Sequence, residues 1–201
     1  MALNTFVKIS TVNNLSDARY CAGMEVNQIG FNIEPENEDF TDVQKFNEIS
    51  GWLSGVEFVG EIGDSSTDKI ADTIKGYNLG AIQVANPKQV SEAKAAGLPL
   101  ILKVDMAMIT EDLFKSLKDD VSYFLIESFF EGEISPDLLE LAATYPIVMA
   151  FGYDASTINN LISNQNLKGI AIKGGKEERP GFKNFDEMAD ILEAIEIDDT
   201  L

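Results

Sequence analysis

The sequence contains no histidine and only one cysteine among its 201 residues. Histidine is the usual acid/base group at neutral pH and the commonest metal ligand, so acid/base chemistry here falls to carboxylates, lysine, tyrosine or the single thiol. A lone cysteine, Cys21, cannot form an internal disulfide, which agrees with a reducing compartment. Its position within a predicted helix, on the face that packs against the rest of the fold, favours a buried and inert thiol over a nucleophile.

Basic residues are also scarce, because 15 lysines and arginines stand against 34 acidic residues and give a net charge of −19. Such a chain repels the phosphates of nucleic acids and anionic membrane surfaces, so we expect neither as a partner. No apolar run approaches the roughly 20 residues that cross a bilayer, and the first residues lack a basic region followed by an apolar one. The sequence therefore predicts a cytoplasmic protein whose acidity serves solubility.

Short apolar or β-branched runs alternate with stretches whose apolar residues repeat at helical spacing. The predicted strands are Phe6–Ser10, Gln28–Ile33, Val56–Ile62, Ala81–Val84, Leu100–Val104, Tyr123–Glu127, Ile147–Phe151 and Gly169–Lys173. The predicted helices are Leu15–Ala22, Asp42–Leu53, Thr67–Lys75, Pro87–Ala96, Thr110–Leu117, Pro136–Ala143, Ala155–Ser163 and Asn184–Ile195. Strict alternation indicates a parallel sheet with its helices outside.

Eight such units predict an α/β protein with a single (β/α)₈ TIM barrel over residues 1–201. An open doubly wound sheet is the main alternative. That fold usually has a glycine-rich first turn, and residues 10–14 contain no glycine. The acidic tail Glu196–Leu201 is predicted to be disordered.

In such barrels the reacting groups lie at the C-terminal ends of the strands. The polar residues at these ends are Lys8, Ser10, Glu34, Glu57, Glu61, Gln83, Lys103, Asp105, Glu127 and Lys173. Polar groups inside a barrel are costly unless paired, so Lys8, Lys103 and Glu127 indicate either salt bridges that fill the centre or a functional site, and both interpretations stay open. A divalent metal at Glu61, Asp105 and Glu127 is a further alternative, since acidic mouths bind such ions. No spacing requires it, and we predict neither a metal nor a cofactor.

A glycine pair, Gly174-Gly175, follows the last predicted strand, and Gly152 follows the one before it. Barrels often hold a phosphate in these two loops, where backbone N–H groups converge on the anion. The three glycines are therefore candidate phosphate ligands. A purely conformational role in a tight turn is the alternative for the pair.

Several motifs point to a known family. They are Val7-Lys8-Ile9-Ser10, Asn14-Leu15-Ser16-Asp17-Ala18, Ile29-Gly30-Phe31 with Pro35, Ala81-Ile82-Gln83-Val84, Leu125-Ile126-Glu127-Ser128 and Pro180-Gly181. With these motifs the chain resembles the phosphoribosylanthranilate isomerases, barrel enzymes of tryptophan biosynthesis. The resemblance covers nearly the whole chain and is most specific in the first 35 residues.

The resemblance implies an Amadori rearrangement, in which a general acid opens a ribose ring and a general base removes the C2 proton. Ser10 occupies the position of the family's cysteine base, and Glu127 that of its aspartate acid. The predicted substrate contacts are Lys8, Gln83, Lys103 and Asp39. The implied ligand is a small phosphorylated sugar, bound by a monomer or a homodimer.

The family pattern is broken at several of these positions. A serine hydroxyl is far too weak a base at neutral pH to replace a thiolate. Asp39 stands where the family has an arginine for the anthranilate carboxylate, and Glu34, Glu36 and Glu38 make its loop anionic. Two other family features, a histidine after strand 4 and a glycine-rich loop after strand 6, are replaced by Ala85 and by Phe129-Phe130-Glu131-Gly132-Glu133. Two hypotheses follow: an isomerase that uses Glu127 as acid or base, or a non-catalytic barrel that binds a ligand or another protein.

Overall fold

Eight parallel strands close into a barrel in the computed structural model, which describes residues 2–63, 70–128, 134–164, 166–174, 177–179, 182–183 and 186–197. The strands are β1 (Phe6–Ser10), β2 (Gln28–Asn32), β3 (Glu57–Ile62), β4 (Ala81–Val84), β5 (Leu100–Asp105), β6 (Tyr123–Glu127), β7 (Ile147–Met149) and β8 (Gly169–Lys173). The helices are α1 (Leu15–Gly23), α2 (Val43–Ser50), α3 (Ile70–Thr73), α4 (Val90–Lys94), α5 (Glu111–Leu117), α6 (Pro136–Ala142), α7 (Ile158–Asn164) and α8 (Asp186–Ala194). The predicted (β/α)₈ barrel is confirmed.

Local side-chain caps explain where several helices begin. Asn14 accepts a hydrogen bond from the backbone N–H of Asp17 at the start of α1, and Ser135 caps α6 with Pro136 as its first residue. Asn86 caps a 3₁₀ helix, Pro87–Gln89, that leads into α4. Gly97, just past the end of α4, has a φ of +71°, the left-handed conformation that glycine commonly adopts where a helix ends.

The structure corrects some predicted boundaries. Helix α7 begins three residues later than predicted because the Asp154 carboxylate accepts hydrogen bonds from the N–H groups of Ser156 and Thr157, which fixes a turn before the helix. In α3 the helix covers only Ile70–Thr73, and predicted residues 67–69 lie outside the described chain. A further 3₁₀ helix, Met106–Met108, and an antiparallel pair, β9 (Glu177–Arg179) and β10 (Phe182–Lys183), were not predicted.

The hydrophobic core has two parts because alternate strand residues point to opposite faces. The larger part lies between the barrel and the helices, and it includes Cys21, which is fully buried as predicted. The smaller part fills the middle of the barrel with the side chains Val59, Ala81, Ile101, Tyr123, Leu125, Val148 and Ala171. This inner layer is a packed floor beneath the C-terminal ends of the strands.

Polar and aromatic groups close the barrel at the N-terminal ends of the strands. The Tyr123 hydroxyl donates to Oε1 of Gln28 at 2.6 Å, and Nε2 of Gln28 donates to Glu57. Phe6 packs edge-on against Tyr123, and Nζ of Lys168 lies 4.8 Å from the centre of the Phe6 ring. Among the described residues, the cavity at the centre of the barrel lies at the opposite end, which we call the mouth.

The two ends of the described chain meet below this closure. Leu3 pairs with Glu196 in an antiparallel bridge, and the N–H of Ile197 donates to the carbonyl of Ala2 at 2.8 Å. The first two residues of the predicted disordered tail are thus hydrogen-bonded, and residues 198–201 lie outside the described chain. None of the helices in the described ranges has the length and apolarity to span a membrane.

Candidate functional site

A cavity of about 270 Å³ occupies the mouth of the barrel. Its lining consists of Ser10, Thr11, Asn32, Asn37, Glu38, Asp39, Glu61, Ile62, Gly63, Gln83, Lys103, Glu127 and Lys173. Ser10 ends β1 and Glu127 ends β6, and both line this cavity. Gln83, Lys103 and Asp39, three of the predicted substrate contacts, line the same space.

Lys8 lies one layer deeper and is completely buried. Its ammonium forms an ion pair with Oε1 of Glu61 and donates to Oγ of Ser10 at 2.8 Å. The neighbouring strand carries Gly30 at this level, where a Cβ atom would overlap Oε1 of Glu61 and lie 2.8 Å from Nζ of Lys8. Because glycine has no side chain, the ion pair can occupy this space. This pair is the kind of salt bridge that was predicted from the sequence as one explanation for Lys8.

The Glu61 carboxylate is stabilised by four groups although it is nearly inaccessible to water. Burial alone would raise the pKa of Glu61, but the Lys8 charge and hydrogen bond, with help from Lys103 and Thr11, hold that pKa below its usual value of 4.5. The carboxyl group is therefore ionised at neutral pH. It fixes a negative charge beneath the mouth and orients the Lys8 ammonium toward Ser10.

Thr11 connects this ion pair to the loop that follows β1. Its backbone N–H donates to Oε2 of Glu61 at 3.0 Å, and its hydroxyl donates to the same oxygen at 3.1 Å. The residue has a φ of +58°, a left-handed conformation that is rare for a β-branched side chain and costs about 1–2 kcal/mol. The two hydrogen bonds to Glu61 hold the loop in that conformation.

Lys103 and Glu127 form a second ion pair on the opposite wall. Nζ of Lys103 lies 3.2 Å from Oε2 of Glu127, and each side chain is 33% exposed. The two residues belong to neighbouring strands, β5 and β6. Because both side chains reach solvent through the mouth, a ligand can contact either of them without unfolding the barrel.

The loop between β2 and α2 forms the acidic side of the mouth. Glu38 and Asp39 line the cavity, whereas Glu36 is exposed outside it and Glu34 is buried beside Gly63. Asn37 shapes the loop, since its side chain accepts a hydrogen bond from the N–H of Asp39 at 2.9 Å. Two of the four acidic residues predicted to make this loop anionic therefore face the ligand space.

The comparisons with known proteins agree with this architecture. N-(5'-phosphoribosyl)anthranilate isomerases of Synechococcus sp. (strain JA-2-3B'a(2-13)) and Aquifex aeolicus are 23% and 24% identical to the chain, covering 94% and 92% of it and 90% and 96% of their own lengths. The crystal structure of the Thermus thermophilus enzyme superposes with a TM-score of 0.76 at 18% identity, covering 94% of this chain and 98% of that one. No family model matches the sequence.

Over nearly its whole length the chain is similar to phosphoribosylanthranilate isomerases, and it has their barrel fold. The resemblance seen in the sequence motifs is thereby confirmed. Among the positions it implied, Ser10, Gln83, Asp39 and Glu127 share one cavity, and Lys8 donates to Ser10 from below.

The predicted phosphate site is only partly described. The N–H of Gly174 donates to the carbonyl of Ser10 at 2.7 Å, so this amide is already used in extending the β1–β8 pairing. Gly152 has a φ of +79° in the turn after β7 and does not line the mouth cavity. Gly175 lies outside the described residues. The exposed ammonium of Lys173 is the cationic group that the end of β8 presents to the cavity.

The carboxylates proposed for a metal do not form a metal site. No group of three potential ligands comes together in the parts of the chain that the structure describes. Glu61 is held by Lys8 and Thr11, and Glu127 by Lys103. Asp105 instead accepts from the N–H of Ala107 and caps the 3₁₀ helix Met106–Met108. The metal-site alternative therefore has no geometric support among the described residues.

Several residues that line the cavity were not assigned a role from the sequence. Thr11 and Asn32 carry no sequence signal of their own, because their positions depend on how β1, β2 and β3 align. Glu61 was recognised as a strand-end carboxylate but not as the partner of Lys8. A buried lysine beside a strand glycine, Gly30, is the signal that predicts an inward-facing carboxylate on a nearby strand.

Proposed function

We propose that the mouth binds a small phosphorylated sugar and that the chain converts phosphoribosylanthranilate far more slowly than its relatives, or not at all. The observation that carries this proposal is the hydrogen bond from the Lys8 ammonium to Oγ of Ser10. This hydrogen bond determines whether Ser10, at the position of the family's base, can accept a proton.

Ser10 is unsuited to act as a base. Its oxygen already accepts a hydrogen bond from a cation, which lowers its affinity for a further proton. Lys8 cannot take over the role, because its ammonium carries no lone pair and is paired with Glu61. The hydroxyl and ammonium can still orient a ligand by hydrogen bonding, so binding without rapid turnover is the function that these groups support.

Glu127 is the carboxyl group best placed to exchange a proton with a bound sugar. It reaches the cavity from the end of β6, and the Lys103 ammonium fixes its orientation. A positioned carboxyl group of this kind contributes about 10²–10⁴-fold to a proton-transfer step. Because Glu127 can act as an acid but no efficient base accompanies it, the isomerisation should proceed only at a low residual rate.

The charges of the mouth disfavour the anthranilate half of the family substrate. Asp39 and Glu38 line the side of the cavity where the resemblance places an arginine for the substrate carboxylate, and like charges repel it. Lys173 offers the phosphate an ammonium, which binds such groups as a point charge. The same observations support the alternative function, a non-catalytic barrel that binds a ligand or another protein.

Steady-state kinetics with phosphoribosylanthranilate test the proposal. We expect kcat/KM of the wild type to lie well below the usual enzyme range of about 10⁴–10⁸ M⁻¹s⁻¹. Ser10→Cys should remain poorly active, and Ser10→Cys with Asp39→Arg should gain only partly. Ser10→Cys with Glu36→Arg is the matched control, because position 36 lies on the same loop outside the cavity.

A wild-type value within the usual range, with complementation of a tryptophan auxotroph, would contradict the proposal. It would show that Ser10 or another group serves as an efficient base. Loss of a general base alone costs about 10²–10⁴-fold, so the wild-type value is compared with that of a related isomerase assayed in parallel.

A further inference from the structure

One buried polar atom in the wall of the mouth lacks a partner. Gln83 is only 4% exposed and lines the cavity, yet its Oε1 atom has no hydrogen-bond partner in the described part of the chain. An unsatisfied buried acceptor is costly, and such groups are rare in folded proteins. Because the side chain lines a cavity, a ligand that donates a hydrogen bond at this point would satisfy it.

The charges around the cavity are unevenly distributed. Glu61 and Glu127 are each neutralised by a lysine, but no described cation forms an ion pair with Asp39, whose carboxylate is met by the side-chain amide of Asn13 at 3.5 Å. Glu38 adds a second negative charge on the same side. Lys173, by contrast, has no carboxylate partner among the residues that are described. The cavity therefore has an acceptor-rich side and a cationic side.

The barrel order separates these two sides. Lys173 ends β8, and Gln83 lies on β4, four strands away in a ring of eight and hence on the opposite wall. Asp39 belongs to the loop after β2, which lies between those walls. A ligand that satisfies all three residues must carry an anionic group at one end and a hydrogen-bond donor at the other.

We propose that the mouth selects an aminated sugar phosphate, whose phosphate lies toward Lys173 and whose amino group donates to Oε1 of Gln83 and to Asp39. The inference rests on the proposed function, because it takes the mouth as a sugar-phosphate site and names the ligand class. An ammonium group matches both the unpaired acceptor and the unneutralised carboxylate. A ligand carboxylate at this place would meet neither.

The size of the cavity agrees with such a ligand. Its volume of about 270 Å³ lies just below the usual range for ligand sites, roughly 300–1,000 Å³. A single sugar ring with a phosphate suits this space better than a ribosyl group joined to an aromatic ring. The amino group then takes the place of the bulky and negatively charged substituent.

Calorimetric titration with four probes tests the inference: glucosamine 6-phosphate, glucose 6-phosphate, glucosamine and glucose. Glucosamine 6-phosphate differs from glucose 6-phosphate, and glucosamine from glucose, only in the amino or hydroxyl group that would contact Asp39 and Gln83. We expect glucosamine 6-phosphate to bind about tenfold more tightly than glucose 6-phosphate, as for one charge-assisted hydrogen bond. Asp39→Asn should reduce this preference to near unity, and Gln83→Met should weaken it.

Glu36→Gln is the matched control, since it removes one negative charge from the same loop outside the cavity. It should retain the amine preference. Loss of the preference in Glu36→Gln would show that long-range charge, and not contact with Asp39, causes it, and the inference would then fail.

The four probes separate this inference from the function on which it rests. An amine preference without any effect of the phosphate supports the contacts of the amino group but contradicts phosphate binding, so it overturns the proposed function and the sugar-phosphate ligand class with it. A phosphate effect without an amine preference leaves the proposed function standing and overturns the inference. No binding of either amine at millimolar concentration overturns the inference.

Discussion

The two lysine–glutamate pairs of the barrel have the same chemistry but very different surroundings. Lys8 and Glu61 lie beneath the mouth, with side-chain exposures of 0% and 6%, whereas Lys103 and Glu127 each retain a third of their exposure. Water screens the outer pair and allows it to open for a ligand. The inner pair is fixed by the cost of leaving either charge alone in the interior. We infer that the inner pair holds Ser10 and Thr11 in place, while the outer pair is free to interact with a ligand.

The largest effect in this comparison is expected from Lys8→Met. The substitution leaves the Glu61 carboxylate buried without its cation, which should lower the free energy of unfolding by about 3–5 kcal/mol in urea titrations at neutral pH. Lys8→Met combined with Glu61→Leu should recover much of that loss, because no charge then remains buried. Lys75→Met is the control, since it removes a lysine from an exposed pair with Asp72. A loss as small as that of the control would show that burial does not distinguish the pairs.

A second, intermediate effect is the pH dependence that Glu61 adds to stability. Its pKa is lower in the folded protein than the usual 4.5, so its stabilising contribution is complete above the unfolded value and is lost as the pH falls through the folded one. The difference in unfolding free energy between wild type and Glu61→Gln should therefore be greatest at pH 7 and shrink below about pH 4.5. Urea titrations across this range measure it. A difference that stays constant down to acid unfolding would contradict the lowered pKa.

The smallest effect is expected from Lys103→Met. A partly exposed ion pair contributes about 0–1 kcal/mol, so the free energy of unfolding should change by no more than that. Lys103→Arg, which keeps the charge, should change it even less. If Lys103→Met instead destabilises the protein as much as Lys8→Met, the two pairs are equivalent and the comparison fails.

The sequence predicted the barrel because its signals are local and repeated. Each strand is a short apolar run, and Asn86-Pro87 and Ser135-Pro136 mark helix starts by capping chemistry. Ser10 and Glu127 line the mouth cavity because a residue at the C-terminal end of a strand lies at the mouth of a parallel barrel, and that position can be read from the sequence. These inferences need no knowledge of which side chains meet.

The pairings inside the mouth could not be predicted in the same way. Lys8 and Glu61 are 53 residues apart, and their contact depends on the register of β1, β2 and β3 together with the gap at Gly30. The glycine pair after β8 predicted phosphate binding, but the pattern cannot show that the Gly174 amide is already donated to Ser10. The turn at Asp154 was available from the sequence, since Asp followed by Ser and Thr is a capping pattern.

The left-handed conformation of Thr11 allows the ionisation of Glu61, in its buried pair with Lys8, to be followed without a ligand. The amide proton of Thr11 is held by the same Glu61 oxygen that its hydroxyl contacts. Protonating that carboxylate weakens both restraints at once, and the strained backbone then gains by relaxing toward an ordinary φ. The protection factor of this single amide against hydrogen exchange therefore reports the ionisation of Glu61, and it should fall in acid before the amides of β1 lose their protection.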